Sequence, residues 1–353
     1  MVPVENLSKF NKVFFIIVLL LAITFTSFIL HQGNLNTIRG NIRLNTVINV
    51  TSQPHKSIIL LWTWPSFNYT FPLNQCPQEF DSSDCLYTLN RSMYSLAKAV
   101  ILHHRNVCSS RGQLPQIPRP SDQYWIWFNR ESPSHSPNMV FLDNLINLTM
   151  TYRVDSDIHS PYGRLVTNKK QDNYTIPRKT KLVAWVVSNW NKQSRRVNYY
   201  NELKPHLDVD IFGRLHMPLP TSEHYKTLSN YKFYLAFENS IHQDYITEKF
   251  WKTSFTSGAV PVVLGPPRQN YERFVPPDSF IHVDDFKSAK ELASYLHKLD
   301  EDDQKYKQYF KWRNRFEVYD KEGSLITEYC KVCKALKEVP AYRTIPSIAK
   351  WFT

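Results

Sequence analysis

Residues 233–251, FYLAFENSIHQDYITEKFW, run almost directly into 259–265, AVPVVLG, and these thirty-odd positions decide the fold. An unbroken apolar run of five residues, Phe233–Phe237, has the length and composition of a strand buried on both faces. It breaks into Glu238, Asn239, Asp244, Tyr245, Glu248 and Lys249 before a second run, Val260–Leu264. Strand, polar loop, helix start and parallel strand make up one βαβ step, and in an open α/β sheet ligands bind beyond the carboxyl ends of the strands. Asp244 is expected to cap the helix that Lys249 opens, and a helix start of this kind favours phosphate oxygens.

The same grammar extends in both directions. Leu182–Val187, Val209–Phe212 and Phe280–Val283 read as further strands, with helices over Arg195–Leu203 and Lys287–Leu299. Ile58–Trp62, Ala99–His103, Tyr124–Phe128 and Leu148–Tyr152 form an earlier set. Strands alternating with helices imply parallel sheets. Two α/β domains in tandem result, divided in the charged, proline-containing segment KKQDNYTIPRKTK at 169–181, so the domains are placed at 57–175 and 176–353. No G-x-G-x-x-G or P-loop occurs, which leaves a dehydrogenase-type dinucleotide fold unsupported.

The amino-terminal region differs. Residues 13–30 are apolar except for Thr24, Thr26 and Ser27, and as a helix they would span roughly 27 Å, enough for a thin bilayer. Lys9 and Lys12 precede this run, whereas the first base after it is Arg39. The charge bias puts residues 1–12 in the cytosol, 13–30 across the membrane as a signal-anchor, and the rest in a lumen. Residues 31–56, polar and rich in Asn and Thr, read as a stem. Acceptor sequons at Asn49, Asn68, Asn90, Asn147 and Asn173 agree with a lumenal glycoprotein. The net charge of +12 and the basic-aromatic run KYKQYFKWRNR at 305–315 would suit nucleic acid. A lumenal domain meets none, so the run is read as a solvated helix face and the charge as suited to an anionic nucleotide diphosphate.

Cysteines stand at 76, 85, 108, 330 and 333. Five choices of the spare and three pairings of the rest leave fifteen arrangements open. A bridge from the 76/85 pair to the 330/333 pair would close a loop of roughly 250 residues, worth about 5 kcal/mol in the chain-entropy account. Cys330-x-x-Cys333 lacks the second pair that a zinc site requires. His103-His104 would face opposite sides of a strand and could not share a metal.

The run FENSIHQDYITEKFW with VPVVLG, the following P-x-x-NYERFVPPDSFIHVDDF, WVVSNWN at 185–191 and YRVDSDIHSPYG at 152–163 resemble the α-1,3-fucosyltransferases that build Lewis-type antigens. Those are type II Golgi enzymes of glycosyltransferase family 10, and the likeness extends from about Leu60 to Lys350-Trp-Phe. It implies a GT-B architecture, two Rossmann-like domains facing a cleft, the first binding the acceptor and the second GDP-fucose, with the C-terminal tail returning to the first. It also implies inverting transfer of L-fucose from GDP-β-L-fucose to the 3-hydroxyl of GlcNAc in type 2 lactosamine.

Under this resemblance Glu131, in WIWFNRESP after the strand Tyr124–Phe128, is the general base; the competing reading of the residue alone is a surface carboxylate paired with Arg130. Arg196 and Lys249 are the diphosphate cations, and Glu248 binds donor hydroxyls. Asn239, Tyr245, Ser188, Tyr162 and Gly163 match other donor positions. His104 and Arg105 match a segment that sets acceptor preference, Arg105 implying type 2 chains. The family pattern implies bridges Cys76–Cys330 and Cys85–Cys333 with Cys108 spare. Asp155-Ser-Asp157 has the form of a D-x-D metal motif, but the resemblance gives it a structural role and implies no required metal, with stimulation by Mn2+ left open. A homodimer is compatible with all of this. Core-type fucosyl transfer and non-catalytic glycan binding are the alternatives.

Overall fold

The computed structural model describes residues 56–63, 75–169, 174–319, 325–339 and 341–353. The segments read as cytosolic tail, anchor and stem lie outside these residues apart from Lys56, as do Asn49, Asn68 and Asn173.

Two parallel sheets make up the described chain. The first joins β1 (Ser57–Leu61), β2 (Cys85–Thr88), β3 (Ala99–His103), β4 (Tyr124–Asn129), β5 (Leu148–Thr151) and β6 (Ile158–His159) in the order β2-β1-β3-β4-β5-β6. A short β7 (Leu165–Thr167) follows. The second sheet joins β8 (Lys181–Val186), β9 (Asp210–Phe212), β10 (Tyr231–Phe237), β11 (Val260–Leu264) and β12 (Ile281–His282) in the order β12-β11-β10-β8-β9. β13 (Phe316–Val318) returns to pair antiparallel with β7. The strands read from the sequence are all present, with ends moved by one or two residues. β2, β6, β7 and β13 escaped it, because they are two to four residues long and were not read as apolar runs of their own.

Parallel sheets need both faces covered, and the strand alternation of two shows how this is met. In β4, Trp125 and Trp127 face one core with Leu60, Leu102, Tyr152, Ile348 and Phe352. Ile126 and Phe128 face the other with Ile59, Ile101, Tyr329, Val332 and Cys333. The C-terminal chain therefore supplies both covers, through the helices Leu325–Glu338 and Ile348–Phe352. Cys76–Cys330 and Cys85–Cys333 bridge the first of them to the start of the fold, and Cys108 is free. In the second sheet, Val183, Trp185, Phe233 and Leu235 pack under the helix Ala289–Glu301. Tyr234 and Ala236 face Phe250, Trp251 and Phe255.

Pro261 sits inside β11, between β10 and β12, where proline is normally excluded. The Leu264 carbonyl accepts from Glu238 N–H on the β10 side, so by alternation Pro261 turns toward β12. β12 pairs only with Val262 and Val263, and no ladder bond is lost.

Two expectations need correction. The 305–315 run is a solvated face only in part: Lys305, Lys307, Lys311 and Arg315 are exposed, but Tyr306, Phe310, Trp312 and Arg313 are buried, and the Arg313 guanidinium stacks 4.2 Å from the Tyr174 ring. Asn147 is fully buried, its amide nitrogen donating to the Arg343 carbonyl at 2.6 Å and its oxygen accepting from Trp125 N–H at 2.7 Å. A glycan cannot be attached to that amide in this fold. Asn90 is exposed.

Candidate active site

The carboxyl ends of β4 and β10 meet. Ser240 Oγ lies 2.6 Å from Ser132 Oγ, and Ser134 Oγ 2.7 Å from His242 Nε2, so the loop carrying Glu131 touches the loop carrying Asn239 and Tyr245.

On the first side, buried Asn129 shapes the turn after β4. Its Oδ1 accepts from Glu131 N–H at 3.1 Å and its Nδ2 donates to Ser136 Oγ at 2.8 Å. The Glu131 carboxylate stays accessible, with Oε1 3.7 Å from Arg105 Nη1. The expected alternative partner, Arg130, instead lies 4.0 Å over the Tyr162 ring, and its carbonyl accepts from the Tyr162 hydroxyl. His103 ends β3 and His104 begins the short helix His104–Val107, so the two are not successive strand residues as expected. His104 is buried, and its Nδ1 accepts from Trp127 Nε1 at 3.1 Å. Burial, offset in part by the Pro137 carbonyl, holds its imidazole down at about 4.

On the second side, Arg196 lies in the first turn of the helix Arg195–Leu203, 5% exposed, with Nη2 donating to the Asn189 carbonyl and Nε lacking a partner. Burial depresses its pKa, and Glu238, Tyr245 and Glu248 act in the opposite sense. Arg195, one position earlier, is exposed and pairs with Asp284 at 3.1 Å, so burial separates the two arginines as the resemblance did. Ser188 is exposed just beyond the end of β8. Lys249 Nζ reaches Thr247 Oγ1 at 2.8 Å, Glu238 Oε2 at 3.1 Å and Glu248 Oε1 at 3.2 Å. Burial works against its charge, but Glu238 and Glu248 outweigh it and hold the ammonium above its ordinary range.

The helix that Lys249 opens begins as a π-helical turn, Lys249–Ser254, in which Ser254 Oγ donates to the Lys249 carbonyl at 2.7 Å. Such wide turns recur at functional sites. Asp244 does not cap it. Asp244 has left-handed backbone (φ 61°), and its buried carboxylate accepts from Val154 N–H at 3.2 Å, Asn270 Nδ2 at 2.6 Å and Arg273 Nη1 at 3.0 Å. It thereby ties the segment after β5 to the β10 loop. The acceptor for the N–H just ahead of the helix is Glu238, whose Oε1 takes Thr247 N–H at 2.8 Å.

Tyr245 is buried against Tyr152 (ring centroids 5.0 Å) and Tyr162 (6.3 Å). Burial raises the Tyr245 and Tyr162 hydroxyl pKa values, and Glu131 and Glu248 push both further up. The carboxylates of the two loops therefore act on the same pair of tyrosines, and Tyr245 and Glu248 act in turn on Arg196. Asn239 Oδ1 accepts from Ser240 Oγ at 2.9 Å at the seam. Gly163 plays another part: a Cβ there would lie 2.4 Å from Trp251 Cγ, so it allows close packing of the segment before β7 on the π-turn. The D-x-D carboxylates diverge. Asp155 takes two bonds from Arg153, while Asp157 takes Thr149 N–H and Oγ1 and pairs with Arg343 at 2.9 Å. Among the described residues no cluster of His, Cys, Asp or Glu could hold a metal ion.

This geometry suits group transfer: the loop after β4 carries one accessible carboxylate, and the loops it meets carry one buried and one half-buried cation. Residues 54–163 match the family description "Fucosyltransferase, N-terminal", and residues 176–351 match "Glycosyltransferase family 10 (fucosyltransferase) C-term". The chain belongs to the fucosyltransferases of glycosyltransferase family 10. Among curated relatives, the 3-galactosyl-N-acetylglucosaminide 4-alpha-L-fucosyltransferase FUT3 of Bos taurus is 53% identical over 299 residues, covering 83% of this chain and 81% of that one. The 4-galactosyl-N-acetylglucosaminide 3-alpha-L-fucosyltransferase FUT6 of Homo sapiens is 51% identical over 310 residues, covering 86% and 85%. A crystal structure of an alpha1,3-fucosyltransferase with GDP-fucose superposes with a TM-score of 0.55 at 18% identity, covering 86% of this chain and 95% of that one. The family 10 chain thus shares the α/β architecture of a solved fucosyltransferase.

Asn129, Ser132, Glu238 and Asp244, which build the site, were not assigned its structural roles from sequence. Glu238 had one legible signal, an acid at the end of a buried strand. Asn129 acts within its own turn, and Ser132 and Asp244 act through contacts that bridge the two halves.

Proposed function

We propose that this chain transfers L-fucose from GDP-β-L-fucose to the 3-hydroxyl of GlcNAc in type 2 lactosamine glycans of glycoproteins and glycolipids, with inversion, giving Lewis x-type α-1,3-fucosides. The observation that carries this reading is the position of Glu131, accessible beside Arg105 and across the seam from Lys249 and Arg196. Glu131 takes the proton from the acceptor O3, the O3–C1 bond of fucose forms as the C1–O bond to the diphosphate breaks, and GDP leaves against Arg196 and Lys249. Glu248, Asn239, Tyr245, Ser188 and Tyr162 bind the donor, with Gly163 supporting Tyr162. His104 holds the helix that carries Arg105. These residues supply the charge stabilisation, so no metal is required, and Mn2+ acts at most as a stimulant.

The relatives divide between 3- and 4-fucosyltransferase names, which favours a second reading in which type 1 chains are also fucosylated at O4. Full-length chain incubated with GDP-fucose and equal amounts of type 2, sialylated type 2, type 1 and chitobiose acceptors separates these. The first reading expects product on type 2 chains with little on type 1. Product only on chitobiose would support a core-type enzyme, and GDP binding without product a glycan-binding protein.

The apolar run at 13–30, outside the described residues, supports a single-pass type II Golgi membrane protein with a lumenal catalytic region. Among the described residues no helix is long and apolar enough to cross a membrane. Protease protection in sealed microsomes tests the orientation, and crosslinking there tests for a homodimer.

A further inference from the structure

Lys249 has more partners than a ligand-binding lysine can keep. An ammonium carries three N–H bonds, and three oxygens, Thr247 Oγ1, Glu238 Oε2 and Glu248 Oε1, already lie within 3.2 Å of Nζ. A diphosphate oxygen can reach it only if one of them withdraws.

The three are not equally free. The Glu238 side chain has no exposed surface, and its carboxylate is also bound by Thr247 N–H at 2.8 Å and Thr247 Oγ1 at 2.9 Å. Thr247 is itself 1% exposed and sits between these groups, donating its hydroxyl to Glu238 and accepting from Lys249. Glu238 and Thr247 thus form a buried frame joining the end of β10 to the start of the π-turn. The Glu248 side chain is 52% exposed and holds Lys249 by one contact. An ion pair with one exposed partner is weak and easily exchanged, whereas a charge left alone in a buried frame is costly.

We propose that Glu238 is a positioning residue for donor binding: it is the fixed counter-charge that keeps Lys249 aimed into the cleft, while Glu248 is the exchangeable partner that releases Lys249 to the diphosphate and turns to the donor's hydroxyls. The inference rests on the reading of Lys249 and Glu248 as donor ligands. It adds an ordered exchange at one ammonium, in which the arriving anion displaces the exposed carboxylate and leaves the buried one in place. The direction of the Lys249 shift agrees, since both carboxylates favour its charged form.

The test uses full-length chain and the variants Glu238→Gln, Lys249→Met, their double, and Glu248→Gln, with binding of GDP and of inorganic pyrophosphate measured by calorimetry and KM for GDP-fucose by initial rates. Glu238→Gln is expected to weaken GDP binding and raise KM at least tenfold. The double variant is expected to be no worse than Lys249→Met within about twofold, because the two act as one unit. Glu248→Gln is expected to bind pyrophosphate severalfold tighter, having lost a competitor for Lys249. Losses that multiply in the double, or weaker pyrophosphate binding by Glu248→Gln, overturn the inference. Unchanged GDP and pyrophosphate affinity in Lys249→Met overturns instead the donor reading beneath it. Should Glu238→Gln fail to fold, recovery of folding in the double supports the inference, since the cation that lost its buried counter-charge is gone. A double that also fails to fold makes Glu238 a requirement of the chain itself and overturns it.

Discussion

Arg105 Nη1 and Glu131 Oε1 stand 3.7 Å apart, an ion pair across the carboxyl ends of β3 and β4, with His103 and Phe128 in register just behind it. The distance exceeds a hydrogen bond, and both groups meet solvent, so the pair adds little to stability. It joins the residue read as setting acceptor preference to the residue read as the base. Arg105→Ala should leave the melting temperature unchanged while lowering the ratio of type 2 to type 1 product in paired initial-rate assays. Glu131→Gln should lower kcat roughly 10²–10⁴-fold with GDP affinity kept within about threefold, measured by calorimetry. An active Glu131→Gln enzyme would remove it from the base role.

Asp155 and Asp157 bind different parts of the protein rather than a common point. Activity in excess EDTA is expected to equal that without it. Asp157→Asn, which loses the charged acceptor for Arg343 and Thr149, should destabilise by about 1–3 kcal/mol, read as a lowered denaturant midpoint. A strict Mn2+ requirement restored by titration would contradict the structural role.

Cys76–Cys330 and Cys85–Cys333 enclose 254- and 248-residue separations and hold the helix Leu325–Glu338 on the first sheet. Opening one bridge with paired Cys→Ser changes should cost about 2–5 kcal/mol, seen as a lower thermal midpoint. Cys108 alone should alkylate without reductant.

His104 is neutral in the fold because burial holds its imidazole at about 4, below the 6.5 of a free histidine. The unfolded chain therefore takes up a proton before the folded one does. This contribution to stability is intact above pH 6.5, shrinks as the pH falls, and is fully lost near pH 4, by about 3 kcal/mol. Denaturant melts between pH 7 and 4 should show this slope, and His104→Gln should flatten it.

Asn90 is exposed and Asn147 is buried. Glycopeptide mapping of protein from a secretory cell is expected to find glycan at Asn90 and none at Asn147.

The local grammar of the fold was legible in the chain itself. Runs such as Phe233–Phe237 and Val260–Leu264 are buried on both faces, so their hydrophobicity is continuous and needs no context. Glu131 stood just past the end of such a run, and Arg196 and Lys249 at the helix starts that follow two others, within reach of pattern reading. Sequence also separated Arg196 from Arg195 only by resemblance, whereas the structure does so by burial. What required the tertiary structure were relations between distant segments: Asp244 bound to Val154 instead of capping a helix, Asn147 sealed under Arg343, and Arg313 buried among aromatics. Each depends on which residues meet when two sheets and a returning C-terminal tail pack together. Hydrophobic periodicity records whether a side chain is buried, but a buried polar group finds its partner in three dimensions, and neither spacing nor composition encodes that choice.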